Sequence, residues 1–247
     1  MNPFKKVFWY IYRPQVHMLY DSPIYYRLPN RGRTLNTLPG ILPFFLKRKF
    51  MDFTITERIA ELPFVLTNVE LTQGAKVLEI GCAESRLSIE LATLGYTVTG
   101  YDLRDYALVH PNFTFIKGDF LENELPPASF DCVISVSTLE HCGIDTYGGP
   151  VIDKADARIV EAIRRVLKAG GRFIFTVPFG KRGMSRYYRV YDAESLTALL
   201  PGFKVIREGY FRTKDRKTWL LEKKENLAQV DSTDVTRGVA CIACEKV

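Results

Sequence analysis

The chain has 247 residues, 47% of them hydrophobic, and carries 34 Lys and Arg against 28 Asp and Glu. That size and apolar content suit one full core with an elaboration rather than two equal domains. Five cysteines, an odd number without framework spacing, exclude a disulfide scaffold and fit a reducing compartment.

The excess positive charge is local. Residues 1–53 hold nine Lys and Arg against Asp21 and Asp52, while the remainder carries 25 basic and 26 acidic side chains. This first stretch also mixes twelve aromatic residues among prolines, which forbid long helices. It reads as an irregular basic arm (1–53) ahead of a globular body (54–247). The arm would attract an anionic partner or serve as a solvated flank. Its apolar run near Val7–Tyr12 is cut by Arg13 and Pro14, too short for a secretory leader, and no stretch has the length of a membrane span. The expectation is therefore a cytoplasmic protein, with the arm as a route to peripheral membrane attachment.

Thr54-Ile55-Thr56-Glu57 has the form of a capping box, predicting a helix to about Thr67 with Ile59, Leu62 and Leu66 as its buried stripe. From Ala75 the rhythm becomes strand and helix in alternation. Strands are predicted at 75–80, 96–101, 113–117, 130–136, 171–177, 203–210 and 238–246, and helices at 84–94, 153–168 and 192–200. Strands apolar on successive residues are those buried on both faces of a parallel sheet. The prediction is an α/β, Rossmann-like doubly wound sheet of about seven mainly parallel strands with an antiparallel last strand. The segment from Lys223 to Arg237 reads as an exposed connection. Cys241 and Cys244 lie three apart on the last strand, point to opposite faces and do not form a metal grip, so they read as structural.

The chemistry gathers at the strand ends. Val77–Ile80 runs through Gly81 toward a helix, which places a strand end and free helix N–H groups at one crevice. A dinucleotide fingerprint would need glycine at positions occupied by Ala83 and Arg86, so a bound pyrophosphate is disfavoured. The second strand ends in Asp102, able to accept from both hydroxyls of an unphosphorylated ribose. The third ends in Gly118-Asp119, whose carboxylate suits an adenine amino group, and the fourth delivers Glu140-His141 just past its end.

As a set, Val-Leu-Glu-Ile-Gly-Cys (77–82), Gly-Tyr-Asp (100–102), Gly-Asp-Phe (118–120), Phe-Asp-Cys-Val-Ile-Ser (130–135) with Leu-Glu-His (139–141), and Val-Leu-Lys-Ala-Gly-Gly-Arg-Phe (166–173) resemble the class I S-adenosylmethionine-dependent methyltransferases. The resemblance spans about residues 55–210. Further pieces, among them Glu57–Phe64, His110-Pro-Asn-Phe and Thr176–Gly180, are similar to bacterial methyltransferases of surface-polysaccharide or glycan modification. The chain departs from the superfamily pattern at Ala83 and Ser85, where glycines are usual.

The resemblance implies S-adenosyl-L-methionine as cofactor, S-adenosyl-L-homocysteine as product, and no metal. It implies that Gly81, Cys82, Ala83 and Glu84 wrap the methionine end, supported by Glu79. Asp102 would hold the ribose with Leu103 beside the adenine, Asp119 and Phe120 would bind the adenine, and Ser135, Val136 and Ser137 would pass beneath the sulfonium.

Transfer to an alkyl hydroxyl is helped by a general base. His141, with an unperturbed pKa of about 6.5, is the first candidate and Glu140 the second. Asp145 and Asp153 are outside candidates, and His17 and His110 have weaker claims. The acceptor is expected to meet Tyr147, Arg182, Arg186, Tyr187 and Arg189, since a mixture of Arg and Tyr binds phosphates and stacks on rings. The resulting expectation is O-methylation of a sugar or glycan-linked acceptor, phosphorylated or lipid-linked. The rivals are methylation of RNA or another small metabolite, and a non-catalytic cofactor-binding partner subunit. The neutral body and the absence of an RNA-binding motif disfavour nucleic acid.

Overall fold

The computed structural model describes residues 55–83, 85–144, 151–184, 187–215, 217–231 and 237–247, and Thr56–Val247 belong to one compact unit. The basic arm, Glu84, Asp145, Tyr147 and Arg186 lie outside the described residues, as does His17.

Five parallel strands form the heart of the sheet: β1 (Lys76–Ile80), β2 (Thr97–Asp102), β3 (Phe113–Lys117), β4 (Phe130–Val136) and β5 (Leu167–Pro178). Two short antiparallel strands, β6 (Gly183–Met184) and β7 (Arg189–Val190), make a separate hairpin. The sheet then continues through β8 (Phe203–Thr213), β9 (Trp219–Leu221) and β10 (Arg237–Lys246). The strand order is β3-β2-β1-β4-β5-β10-β8-β9, with β10 antiparallel to both β5 and β8. The doubly wound sheet with an antiparallel last strand is thus present, and β9 adds an eighth strand at its edge. Reversal of strand order between β1 and β4 opens a crevice at the carboxyl ends of those strands, where such sheets bind ligands.

Both faces of the sheet are covered because its strands are apolar on both sides. Leu78, Ile80, Phe173, Phe175 and Val177 pack with Ile159, Ile163 and Val166 of the helix α3 (Ala155–Val166). Val77, Val98, Cys132, Ile134 and Ile174 pack on the other side with Val65 of α1 (Arg58–Asn68) and Leu87 and Leu91 of α2 (Leu87–Thr93). Burying each such side chain contributes roughly 1.5–3 kcal/mol.

Helix α1 departs from its predicted face. Ile59 and Leu66 are exposed, and Ala60, Glu61 and Val65 point inward instead. The helix is rotated because the Glu61 carboxylate is drawn into the sheet's crevice by two hydrogen bonds given below. Glu57 precedes α1 without a side-chain cap. Helix α2 starts at Leu87, and Leu94 is exposed beyond its end.

Strand β5 begins four residues before its predicted start because Leu167 pairs with Phe130 ahead of an irregularity. Register resumes at Arg172 opposite Cys132, with Gly170 at φ +71° in between. A helix α4 (Ala193–Ala198) is capped by Asp192 and Ser195, whose side chains each bond to the other's backbone. The expected exposed connection after Lys223 instead contains a short helix α5 (Lys224–Leu227) that buries Leu227, with Val230 also buried beyond it. Cys241 and Cys244 are buried free thiols with a register shift between Ala243 and Cys244. None of the described helices is long and apolar enough to cross a membrane.

Candidate active site

A cleft of about 340 Å³ opens at the carboxyl ends of β1–β5. That lies at the lower end of the range for small-molecule sites, about 300–1,000 Å³. Its first wall comes from β1 and the turn after it, through Glu79, Ile80 and Gly81. Gly81 has φ +81°, and a side chain there would collide with Thr138 Oγ1. The turn therefore requires a residue without Cβ and leaves backbone bordering the cleft. Glu79 is 1% exposed and accepts from Ser88 Oγ at 2.5 Å, tying β1 to α2. Burial pushes its pKa up, while hydrogen bonds from Ser88 and Ser85 pull the other way.

Asp102, Leu103, Asp119 and Phe120 form the second wall. Asp102 accepts from the backbone N–H of Ala83 at 2.8 Å and of Arg104 at 2.9 Å. These bonds pin the turn after β1 to the end of β2. An ionised carboxylate has about four acceptor positions, so the group retains capacity for a ligand. Asp119 caps the single 3₁₀ turn Phe120–Glu122 by accepting from Leu121 N–H at 2.9 Å. The Phe120 ring is buried and meets Tyr101 edge to face at 5.3 Å.

The floor is the end of β4. Val136 and Ser137 line the cleft, and Ser137 sits at φ +44°, unusual for a residue with a side chain. Its N–H donates to Thr176 Oγ1 at 3.0 Å and its hydroxyl donates to Glu61 Oε1 at 2.6 Å. Glu61 in turn accepts from Arg58 at 2.5 Å. Ser135 is wholly buried behind this floor, as Cys82 and Ala83 are behind the first turn, and none of the three lines the cleft. Those three are reached by the fold and not by the cavity.

Glu140 and His141 lie in the 3₁₀ turn Leu139–His141 directly after β4, and both face the cleft. Glu140 is 2% exposed, and its Oε2 has no hydrogen-bond partner. Burial holds its carboxyl well above the usual carboxylate range. His141 Nδ1 lies 2.6 Å from the Tyr187 carbonyl oxygen, an acceptor, which assigns the proton to Nδ1. Nε2 is then the basic nitrogen, 3.8 Å from Glu140 Oε1.

The predicted acceptor residues divide. Tyr187 contributes its carbonyl to His141 while its side chain is exposed, and Arg182 is exposed on the β5–β6 connection. Arg189 does not line the cleft: it donates to the Cys142 carbonyl at 2.6 Å and lies 4.0 Å from Asp156, which accepts from Tyr191 at 2.8 Å. Asp153 is exposed outside the lining, and His110 accepts from Asn112 N–H in a surface turn. Arg58, Tyr188, Trp219 and Arg237 do line it. Of these four, none was singled out as a site residue from sequence. Tyr188 alone falls within the segment 179–189 that the sequence marks, by its mixture of Lys, Arg and Tyr, as a candidate for meeting the acceptor. Among the described residues no group of three or more His, Cys, Asp or Glu could hold a metal ion.

A methyltransferase domain family matches residues 78–175, the segment that supplies most of this cleft. A ubiquinone biosynthesis O-methyltransferase from Paraburkholderia phymatum is 32% identical over 151 residues, covering 57% of this chain and 59% of that protein. A human eEF1A lysine and N-terminal methyltransferase is 29% identical over 157 residues, 60% of this chain but 22% of that protein. The chain thus spans less than two thirds of the length of these relatives. Among solved structures, a Bacillus halodurans methyltransferase aligns with a TM-score of 0.54 at 12% identity, covering 76% of this chain and 99% of that one. A Haemonchus contortus phosphoethanolamine N-methyltransferase, solved with S-adenosylhomocysteine and phosphomonomethylethanolamine, aligns with a TM-score of 0.55 at 19% identity, covering 76% and 52%. Both establish the fold.

Proposed function

We propose that this chain is a class I S-adenosylmethionine-dependent methyltransferase that transfers a methyl group to a hydroxyl oxygen of a small acceptor, a reading supported by its methyltransferase domain match and its fold. The observation that carries the reading is the convergence on one cleft of Gly81, Asp102 and Asp119 from three successive strand ends. The fit to the cofactor rests on that cradle: a glycine whose Cβ position is closed, and two carboxylates with acceptor capacity left over.

In this reading Asp102 accepts from the ribose hydroxyls, Asp119 from the adenine amino group, and Leu103 and Phe120 flank the base. Gly81 and Ser137 border the methionine and sulfonium end. Arg58, beside Glu61, is a cation available to the methionine carboxylate. When bound, the cofactor supplies an electrophilic sulfonium methyl.

The rest of the chemistry belongs to the protein. In-line positioning is the main requirement. His141 receives the acceptor's hydroxyl proton at Nε2, while the Tyr187 carbonyl stabilises the Nδ1–H of the resulting imidazolium. Glu140, whose carboxyl is pushed by burial toward the neutral form, lies beside that nitrogen and hydrogen-bonds the acceptor oxygen, keeping it in place.

The acceptor we favour is a sugar or glycan-linked hydroxyl. Its support is a cleft that sets His141 and Glu140 side by side, a pair suited to taking the proton of an alkyl hydroxyl. The names of the relatives above point elsewhere, to ubiquinone biosynthesis and to eEF1A, and the acceptor assignment is independent of the cofactor assignment.

Calorimetry tests the latter. The protein should bind S-adenosylmethionine, and Asp102→Ala should weaken binding by about 10-fold or more, as expected for charge-assisted hydrogen bonds of about 1.5–3 kcal/mol. Absence of binding by the unaltered protein would overturn the reading. Once an acceptor is in hand, His141→Ala should lower kcat far more than it changes cofactor affinity.

A further inference from the structure

We infer that the end of the cleft bounded by Arg237, Trp219 and Tyr188 recognises an oxyanion on the methyl acceptor, the Arg237 guanidinium holding a phosphate or carboxylate while the two aromatic rings flank the sugar that bears it. This rests on the methyl-transfer reading and names the acceptor class more narrowly.

Register puts Arg237 and Trp219 together. Arg237 of β10 lies directly opposite Thr213 of β8, which lies directly opposite Trp219 of β9. Residues directly opposite across adjacent strands share a face. Arg237 and Trp219 therefore stand in one row, two strand spacings or about 10 Å apart, suited to a ring and its charged substituent. Both line the cleft, and Tyr188 reaches it from the turn between β6 and β7.

The Arg237 Nε–H is buried with no hydrogen-bond partner, and among the described residues no carboxylate pairs with its guanidinium. A buried donor on a cation left without an acceptor is costly and calls for an explanation. An anionic ligand supplies one. Arg212 also has an orphan Nε, yet it pairs across from Gly238, one residue out of step, so its side chain points to the opposite face and does not line the cleft. It serves as an internal control.

The experiment uses the whole protein saturated with S-adenosylhomocysteine and titrates three probes: glucose 1-phosphate, glucuronate and methyl glucoside. Calorimetry or saturation-transfer NMR should show saturable binding of at least one anionic sugar, about 10-fold or more tighter than the neutral one. Arg237→Gln should abolish that preference with S-adenosylhomocysteine binding unchanged, and Arg237→Lys should retain part of it, as a point charge without the planar fork. Arg212→Gln should behave as the unaltered protein. Whichever anion binds tighter assigns the oxyanion as phosphate or carboxylate. Equal binding of neutral and anionic sugars, no binding of either anion, or an Arg237→Gln protein that keeps the preference would overturn the inference. Failure of the unaltered protein to bind S-adenosylhomocysteine would instead overturn the methyl-transfer reading beneath it.

Discussion

Glu140 carries a measurable consequence of being buried without a partner for Oε2. Its folded-state pKa is raised from 4.5 chiefly by desolvation, with the neighbouring Glu61 and Glu57 charges adding to it. In the unfolded chain the same group releases its proton near pH 4.3 or so. Above that pH the folded protein retains a proton that the unfolded chain has lost, so this group makes stability fall as pH rises until the folded carboxyl ionises. Glu140→Gln removes the titration while keeping the shape. In urea unfolding over a pH series from 4 upward, the variant should gain on the unaltered protein once pH exceeds the unfolded-chain value, until the folded carboxyl ionises. Parallel stability profiles would show a carboxyl already solvated or paired. Glu140 and His141 were legible in sequence because they follow a recognisable buried strand within a few residues of its end. Arg237 was not, because its role depends on β10 entering between β5 and β8, a pairing of segments far apart in the chain.

Helix α1 works at the next scale as a clamp on the cleft. Glu61, wholly buried, receives hydrogen bonds from Arg58 on its own helix and from Ser137 at the left-handed end of β4. Periodicity of apolar residues located the helix but not its rotation, since Ile59, Leu62 and Leu66 make an equally regular stripe, of which the structure exposes Ile59 and Leu66 and only partly buries Leu62. A buried carboxylate with two partners outweighs the burial of one exposed leucine: two charge-assisted bonds contribute about 1.5–3 kcal/mol each. Glu61→Ala should therefore lower unfolding free energy by about 2–3 kcal/mol, allowing for the partial exposure of Arg58. It should also weaken S-adenosylhomocysteine binding, because Ser137 loses its tether. A loss of stability with unchanged binding would confine Glu61 to a packing role. Strands β1 and β4 were readable because they are apolar on successive residues and buried on both faces. The strands β6, β7 and β9 were not, since two or three residues carry no period.

The sheet as a whole places the cleft-lining groups on separate segments, among them β1 and its turn, β2, the end of β3, β4 with its 3₁₀ turn, and the start of β10. A ligand spanning them binds only when all are in register, so it stabilises the folded state and not the unfolded chain. At 100-fold excess over Kd the gain is about 2.7 kcal/mol. For a domain of this size each kcal/mol raises Tm by about 2–4 °C, so saturating S-adenosylhomocysteine should raise Tm by about 5–10 °C. Asp102→Ala should remove most of that shift at the same ligand concentration, since Asp102 both faces the cleft and ties the Ala83 turn to β2. Its effect without ligand separates those roles: a variant that melts near the unaltered protein yet fails to shift has lost a ligand contact. One that melts well below it has lost the tie between β1 and β2, and the site would then be held by the fold more than by the carboxylate.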